Sequence, residues 1–444
     1  MKNNYRQKLH IEPEKGWLND PNGLCFFNGE YHVYFQYAPD SAEGRGGKCW
    51  GHMKSPDLLH WTFTGAVLLP DTPDDRSGVY SGCGLVKDDT LYLFYTGNVK
   101  EEGDHDYITS GRGANVILVT TKDGHNMSAK KTLLRNSDYP DYCSCHVRDP
   151  KVWEEDGKYH MVLGARTLAA KGCVLYYVSE DLENWHYDKT VFGSDGSYMW
   201  ECPDAFRLGG HRYLSVSPQG VPPEEYMYRN VYSSGYFTID GGDPENYREW
   251  DCGFDFYAPQ TFDAPDGRKI LIGWEGIGDI PYFNPTTALG WQHCLTLPRE
   301  LTARDDGVIL QQPVRELMKL SRGEKALTSG MTAELPFLLE GKTAGDFTVE
   351  LGGVFRLKYA DGVARLTFIS DSAGCGRTER PAKLPACKDI RIFADTSSAE
   401  IYLNGGETVM STRMYPGDTV VTLAADGIDG IIYELDGIEV TSDE

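Results

Sequence analysis

A chain of 444 residues with a net charge of −23 and no long apolar run does not fit several classes of protein. Nucleic acids and anionic membranes attract basic surfaces, so the acidic balance argues against both as partners and favours neutral ligands. No stretch approaches the roughly 20 consecutive apolar residues that a membrane-spanning helix requires.

The N-terminus and the cysteines indicate the compartment. The first 17 residues, MKNNYRQKLHIEPEKGW, have neither an apolar core nor a small-residue cleavage site, so we expect a cytoplasmic protein without a secretory signal. Eleven cysteines are scattered without a pairing rhythm, and reduced thiols are the simplest expectation. The cluster Cys143-Ser144-Cys145-His146 lacks a second cysteine pair at zinc-site spacing, so we predict no bound metal.

A turn followed by an alternating apolar strand recurs five times before residue 300. The turns begin at residues 28, 88, 156, 209 and 266, and NGEYHVYFQY (28–37) is representative. Their spacing of about 60 residues leaves room for a four-stranded sheet in each repeat. The pattern predicts an all-β fold that begins with a five-bladed β-propeller, and an irregular array of β-sandwiches is the alternative.

A polar cluster precedes each of these five turns by one strand length. The clusters are Asn19-Asp20-Pro21, Tyr80-Ser81-Gly82, Arg148-Asp149-Pro150, Glu201-Cys202-Pro203-Asp204 and Tyr257-Ala258-Pro259-Gln260. Polar groups at the same place in every blade form a ring at one mouth of the central channel. We therefore predict that Asp20, Asp149 and Glu201 converge there.

The repeat ends near residue 300. The segment VRELMKLSRGEKAL (314–327) resembles a linker, and short alternating strands such as FRLKYA and AEIYLNGG follow at close spacing. We predict a propeller domain over 1–305, a linker over 306–326 and a β-sandwich domain over 327–444.

Converging carboxylates are suited to glycoside hydrolysis, which needs one acidic group to attack or activate water and another to protonate the leaving oxygen. Polar neighbours would keep Asp20 ionised, and a drier setting would raise the pKa of Glu201. Arg148 would hold Asp149 in its charged form.

Several of these motifs together resemble glycoside hydrolase family 32, which contains invertases, sucrose-6-phosphate hydrolases, levanases and inulinases. They are WLNDPNG (17–23), WGH (50–52), RDP (148–150), ECPD (201–204), FYAPQTF (256–262) and IRIFADTSSAEIYLNGG (390–406). They occur in family order along nearly the whole chain. The family's fold, a five-bladed propeller followed by a β-sandwich, agrees with the prediction above.

The resemblance implies a retaining β-fructofuranosidase that needs no cofactor or metal. Asp20 would be the nucleophile, Glu201 the general acid and base, and Asp149 the stabiliser of the transition state. The fructose pocket would be lined by Asn19, Gln36, Trp50, Tyr80, Ser81, Arg148, Tyr257 and Trp274.

Substrate choice rests on the loops at the pocket mouth. We expect sucrose and short fructo-oligosaccharides, followed closely by sucrose 6-phosphate, whose phosphate could meet Arg45, Lys48 or Arg112. Three other functions stay open: an inverting, arabinanase-like furanosidase, a sugar-binding propeller without activity, and transfer of fructose to another sugar. The oligomeric state is also open, with a homodimer among the options.

Overall fold

The computed structural model describes residues 2–442, and nearly all of its regular structure is β-strand. Each of the five predicted turns connects two paired antiparallel strands. In the first turn Asn28 and Gly29 both have positive φ angles, 52° and 84°, as a tight two-residue hairpin requires. No helix within residues 2–442 is both long and apolar enough to cross a membrane.

Four sheets each contain four antiparallel strands in consecutive chain order. Sheet 1 comprises β1 (Gly16–Phe27), β2 (Glu30–Ala38), β3 (Cys49–Ser55) and β4 (His60–Leu68). Sheet 2 comprises β5 (Val79–Lys87), β6 (Thr90–Lys100), β7 (Arg112–Thr121) and β8 (Lys131–Leu134), and a 3-10 turn follows at Asn136–Asp138. Sheet 3 comprises β9 (Cys143–Glu155), β10 (Lys158–Thr167), β11 (Gly172–Ser179) and β12 (His186–Phe192). Sheet 4 comprises β13 (Met199–Leu208), β14 (His211–Gln219), β15 (Gly235–Thr238) and β16 (Glu245–Glu249).

The fifth sheet is irregular, which corrects the expectation of five regular blades. It contains β17 (Tyr257–Asp263) and β18 (Lys269–Glu275), and the chain then leaves the sheet through a 3-10 turn at Pro285–Leu289. The next strand, β19 (Trp291–Gln292), pairs in parallel with β1 of sheet 1. The chain then returns to sheet 5 as β20 (Cys294–Leu295), β21 (Arg299–Ala303) and β22 (Ile309–Pro313). The excursion that joins the chain to β1 therefore interrupts the four-strand order.

The first strands of the five sheets meet around a common axis. β1 contacts β5, β5 contacts β9, β9 contacts β13, β13 contacts β17, and β17 contacts β1. Apolar side chains fill the spaces between neighbouring sheets, as where Phe94 and Leu118 of sheet 2 pack with Met161 and Leu163 of sheet 3. The predicted all-β fold with a propeller is confirmed.

A second domain is a sandwich-like sheet of ten strands, as the short alternating strands predicted. Its strands are β23 (Ser321–Ala326), β24 (Met331–Glu334), β25 (Phe337–Leu351), β26 (Phe355–Ala360), β27 (Val363–Phe368), β28 (Glu379–Lys383), β29 (Asp389–Ala394), β30 (Ser398–Leu403), β31 (Thr408–Arg413) and β32 (Val420–Leu435). The short helix α1 (Asp371–Gly374) follows β27, and a 3-10 turn at Arg315–Leu320 precedes β23. The long strands β25 and β32 pair with each other and fold over a core that contains Phe337, Leu339, Ile392 and Ile401.

Strand structure reaches into both ends of the segment 306–326. β22 pairs with β21 in sheet 5, and β23 pairs with β32 in the second domain. A final strand, β33 (Glu439–Ser442), returns to the propeller domain and pairs in parallel with β4. The two domains are therefore connected at several points along the chain.

A buried network of charges joins the two domains. Arg299 of β21 donates to Glu400 of β30 (Nη2–Oε2 2.7 Å) and lies 3.2 Å from Oδ2 of Asp251. Near the N-terminus, His10 bonds to Asp395 (2.8 Å) and Glu400 (3.1 Å). Burial opposes the charge on His10, but these two hydrogen bonds raise its pKa to about 10. The network therefore places buried ion pairs and hydrogen bonds directly between the two domains.

The two mouths of the propeller channel differ. One holds a cavity of about 730 Å³ between the far ends of the first strands. Its lining includes Lys151, which forms an ion pair with Asp204 (3.2 Å) and donates to the carbonyl of Thr261 (2.6 Å). The predicted catalytic carboxylates lie toward the opposite mouth, at the beginnings of the same strands.

Candidate active site

A β-bulge in the first strand of each sheet aims the polar clusters at the axis. The strand register shifts at 18–21 in β1, 79–82 in β5, 148–151 in β9, 201–204 in β13 and 257–260 in β17. Asp149, Cys202 and Ala258 adopt positive φ angles at these shifts (63°, 46° and 50°). Such conformations are unfavourable for residues other than glycine, and they concentrate at functional sites. The residue that follows each of these three is a proline, which fits there because a bulge interrupts the ladder and needs no N–H donor.

Asp20 belongs to a closed ring of side-chain hydrogen bonds. Ser81 Oγ donates to Oδ2 of Asp20 (2.5 Å), and the Asn19 amide donates to its Oδ1 (3.0 Å). Asn19 also donates to Gln36 (2.9 Å), whose own amide donates to Ser81 (2.7 Å). The ring leaves the carboxylate little freedom to rotate.

Glu201 accepts four hydrogen bonds. Arg148 donates from Nε (2.9 Å) and Nη2 (2.5 Å) to Oε1. The Tyr257 hydroxyl (2.7 Å) and the Gln219 amide (2.6 Å) donate to Oε2. The carboxylate is thus held from sheets 3, 4 and 5 together.

Besides burial, the nearby charges of both other acids raise the pKa of Asp149. Its Oδ2 accepts from the backbone N–H of Cys202 (3.0 Å), and its own N–H donates to Thr96 (2.9 Å). The Cys202 sulfur lies 3.6 Å from Oδ2 of Asp149 and 3.8 Å from Oδ2 of Asp20. The three predicted catalytic residues therefore converge on one site.

The electrostatics of the acids differ from the sequence-based expectation. Arg148 forms its hydrogen bonds with Glu201 and is 4.0 Å from Asp149, although it precedes Asp149 in the chain. Burial raises the pKa of Asp149 to about 7, and Arg148 lowers it by less. Burial also raises the pKa of Asp20, against the hydrogen bonds from Ser81 and Asn19. Arg148 lowers the pKa of Asp149 and the polar neighbours lower that of Asp20, as predicted, but burial outweighs both contributions, so the net shift of each acid is upward, opposite to the expectation that both stay ionised.

The remaining predicted pocket residues divide into two groups. Tyr257 and Trp274 pair across β17 and β18 and pack with Cys202 beside the acids. Tyr80 adjoins Ser81 on β5, and its carbonyl accepts the indole N–H of Trp50 (3.1 Å). Trp50 itself is fully buried, so in this arrangement it supports the pocket wall from behind.

Comparison with known proteins identifies the family. The model of the glycosyl hydrolases family 32 N-terminal domain matches residues 10–313, and that of the family 32 C-terminal domain matches residues 364–435.

The chain belongs to glycosyl hydrolase family 32.

Its relatives within family 32 align along almost the whole chain. A sucrose-6-phosphate hydrolase of Bacillus subtilis is 38% identical over 95% of this chain and 92% of its own length. A raffinose invertase of Escherichia coli is 37% identical over 92% of this chain and 89% of its own length. The solved structure of sucrose-6-phosphate hydrolase from Lactobacillus gasseri superposes with a TM-score of 0.87, at 28% identity, and covers 98% of this chain and 94% of that one.

Two residues at this family 32 site were not predicted to belong to it: Gln219 had no motif, and His146 was considered only as part of a possible metal cluster. Gln219, at the end of β14, contacts Glu201 from a strand without a recognisable motif. His146 accepts from Arg148 at Nδ1 (2.9 Å) and donates from Nε2 to the carbonyl of Tyr107 (3.0 Å). Burial and nearby arginines lower the pKa of His146 to about 3, so the neutral ring orients Arg148 toward Glu201.

Two clusters contain side chains that could bind a metal ion: Cys143–His146, and the buried residues His10, Glu275 and Glu400. Both ring nitrogens of His146 are occupied by protein partners. Ligand atoms of His10, Glu275 and Glu400 lie within 4.8 Å of one another at the domain interface. Glu400 already accepts hydrogen bonds from the Leu297 backbone (2.6 Å), from Arg299 and from His10. We therefore interpret this cluster as part of the interdomain charge network and not as a metal site.

We expect Asp149→Asn to change how stability depends on pH. The native state keeps a proton on Asp149 up to about pH 7, while the unfolded chain releases it near pH ~4. Stability therefore falls as the pH rises between these values, by at most about 1.4 kcal/mol per pH unit. Urea denaturation from pH 4 to 8 should show a shallower fall for the variant.

The exposed Asp243→Asn variant is the control, since its surroundings leave it in water. If Asp149→Asn and Asp243→Asn follow the same pH dependence as the wild type, Asp149 does not hold a proton in the native state.

Proposed function

We propose that this family 32 protein is a retaining β-fructofuranosidase that releases fructose from terminal β-D-fructofuranosides. The observation that carries the proposal is the fixed Asp20 carboxylate within the Asn19–Gln36–Ser81 ring, with Glu201 brought to the same site. A nucleophile and an acid at one anomeric carbon are the pair that a double-displacement mechanism needs. The names of its relatives, sucrose-6-phosphate hydrolase and raffinose invertase, support fructosides as substrates.

The reaction proceeds in two displacements. A carboxylate oxygen of Asp20 bonds to the anomeric carbon of fructose while the bond to the leaving oxygen breaks, and Glu201 gives that oxygen its proton. Glu201 then takes a proton from water, whose oxygen replaces Asp20 on the anomeric carbon. Asp149 accepts hydrogen bonds from hydroxyl groups of the fructosyl unit. Arg148 and Tyr257 hold Glu201 in place between the two steps through their hydrogen bonds to it.

The architecture that supports this site is a five-bladed propeller in which the irregular sheet 5 serves as the last blade. The cyclic contacts of β1, β5, β9, β13 and β17 support that count. The domain boundary then falls between Pro313 and Ser321, since β22 belongs to sheet 5 and β23 to the second domain. Eleven free cysteines fit a reducing compartment, in line with the expected cytoplasmic location.

The proposal is tested with sucrose, sucrose 6-phosphate and 1-kestose as substrates. Fructose should be released, and proton NMR in the first minutes should show the β-anomer before mutarotation, because two displacements retain configuration. First-formed α-fructose would favour the inverting, arabinanase-like mechanism. Binding of all three sugars without any release of fructose would indicate a sugar-binding propeller. At high sucrose, fructosylated sugars in the product mixture would reveal transfer to an acceptor other than water.

A further inference from the structure

Within residues 2–442, two arginines near His146 have no carboxylate partner. Arg112 begins β7, and Arg166 lies near the end of β10, where the loop between β6 and β7 packs against the start of β9. Besides burial, the positive charge of Arg148 and those of both these guanidinium groups lower the pKa of His146. Arg148 pairs with Glu201, whereas no ion pair of Arg112 or Arg166 is found among residues 2–442.

Unpaired arginines are unexpected in a chain with a net charge of −23. Nε of Arg112 is buried and has no hydrogen-bond partner within the described part of the chain. Burial and the neighbouring charge of Arg148 lower the pKa of Arg112, so this position penalises its charged form. Arg166 has an aromatic contact, since its guanidinium carbon lies 4.8 Å from the centre of the Tyr198 ring. A bound anion would offset the repulsion among the three arginines.

The other two cations that the sequence analysis considered for phosphate, Arg45 and Lys48, are already engaged. Arg45 is 81% exposed and pairs with Glu43. Lys48 donates to Oδ1 of Asn19 (2.7 Å), and burial lowers its pKa to about 8. Of the three cations considered from the sequence, only Arg112 therefore stays available to bind a phosphate group. The structure indicates Arg166 as a second such cation.

We infer that Arg112 and Arg166 form an anion subsite for a phosphate monoester on the leaving group of the fructoside. The inference rests on the proposed function, because it is the leaving oxygen that Glu201 protonates. Both arginines lie beside His146, which contacts the Arg148 that holds Glu201, whereas Asp20 is held on the other side by the Asn19–Gln36–Ser81 ring. A guanidinium presents paired N–H donors that match phosphate oxygens, so two of them can hold one dianion from both flanks.

The test is the ratio of kcat/KM for sucrose 6-phosphate to that for sucrose. This ratio should exceed one in the wild type and fall roughly tenfold to a hundredfold in Arg112→Gln and in Arg166→Gln. Arg112→Lys and Arg166→Lys should recover part of it, because the charge remains. Since each variant is compared on two substrates, general loss of activity or of folded protein cancels. Arg45→Gln is the matched control and should leave the ratio as in the wild type.

Product inhibition provides a second readout. Glucose 6-phosphate should inhibit sucrose hydrolysis by the wild type more strongly than glucose does, and the difference should shrink in both Gln variants and at high salt. The inference is overturned if the wild type hydrolyses sucrose and sucrose 6-phosphate equally well, or if Arg45→Gln alone lowers the ratio. Failure to release fructose from either sugar would instead reject the proposed function.

Discussion

Replacement of Asp20 by alanine should lower kcat on sucrose by at least about a thousandfold, because the covalent step loses its nucleophile. The protein should remain folded, since the polar residues that surround Asp20 can bond to one another: Gln36 already donates to Ser81, and Asn19 donates to Gln36. Initial rates of fructose release, with circular dichroism as the check on folding, measure the effect. Asp243→Asn, which removes a carboxylate from the exposed surface, should keep the wild-type rate.

Azide separates the role of Asp20 from that of Glu201. In Asp20→Ala a small anion can enter the vacated space and attack from the nucleophile's face, which yields the α-fructosyl azide. In Glu201→Ala the covalent intermediate can still form, and azide then opens it to give the β-fructosyl azide. Retention of more than a tenth of the wild-type rate in Asp20→Ala, or the opposite pair of azides, would reject the assigned roles.

The ring of acids was predictable because its signals are local. A turn dipeptide, an alternating strand and a polar cluster lie within a few residues of one another, and their repetition placed Asp20, Asp149 and Glu201 at one level of the propeller. The irregular fifth sheet was not predictable on these grounds. Its cause is the two-residue strand β19 (Trp291–Gln292), which pairs in parallel with β1. The two strands are separated in the sequence by nearly the whole propeller domain, so no local pattern signals their pairing.

Charge pairing was harder to predict than position. Sequence adjacency suggested that Arg148 pairs with Asp149, yet successive side chains of a strand point to opposite sides, and the bulge turns Arg148 toward Glu201 of the next sheet. Arg166 and Gln219 were missed for a related reason. Each lies on the second strand of its sheet, where no motif marks it, and reaches the site through the pairing of that strand with the first.

The domain interface provides the second large effect. Arg299→Met should destabilise the protein by about 3–5 kcal/mol, because it leaves Glu400 and Asp251 buried without their shared cation. Arg299 also donates to Gln311 (3.0 Å) and Ser411 (2.8 Å), and these acceptors lose a partner as well. Urea denaturation followed by tryptophan fluorescence should show a lower midpoint, and separate transitions for the two domains if their docking fails first.

Arg304→Met is a matched control for this prediction. Arg304 also bridges the domains, through Glu407 of the segment before β31 (3.2 Å), but its side chain is 39% exposed. An exposed pair of this kind contributes about 0–1 kcal/mol, so the same substitution should barely move the midpoint. Comparing the two variants therefore separates the effect of burying an interdomain ion pair from the effect of merely having one.

Equal midpoints for the two variants would mean that apolar packing holds the domains together and that the buried charges contribute no net stability. In that case the network around Glu400 would serve to orient the second domain, and Arg299→Met should change the packing angle in solution scattering while leaving the unfolding free energy unchanged.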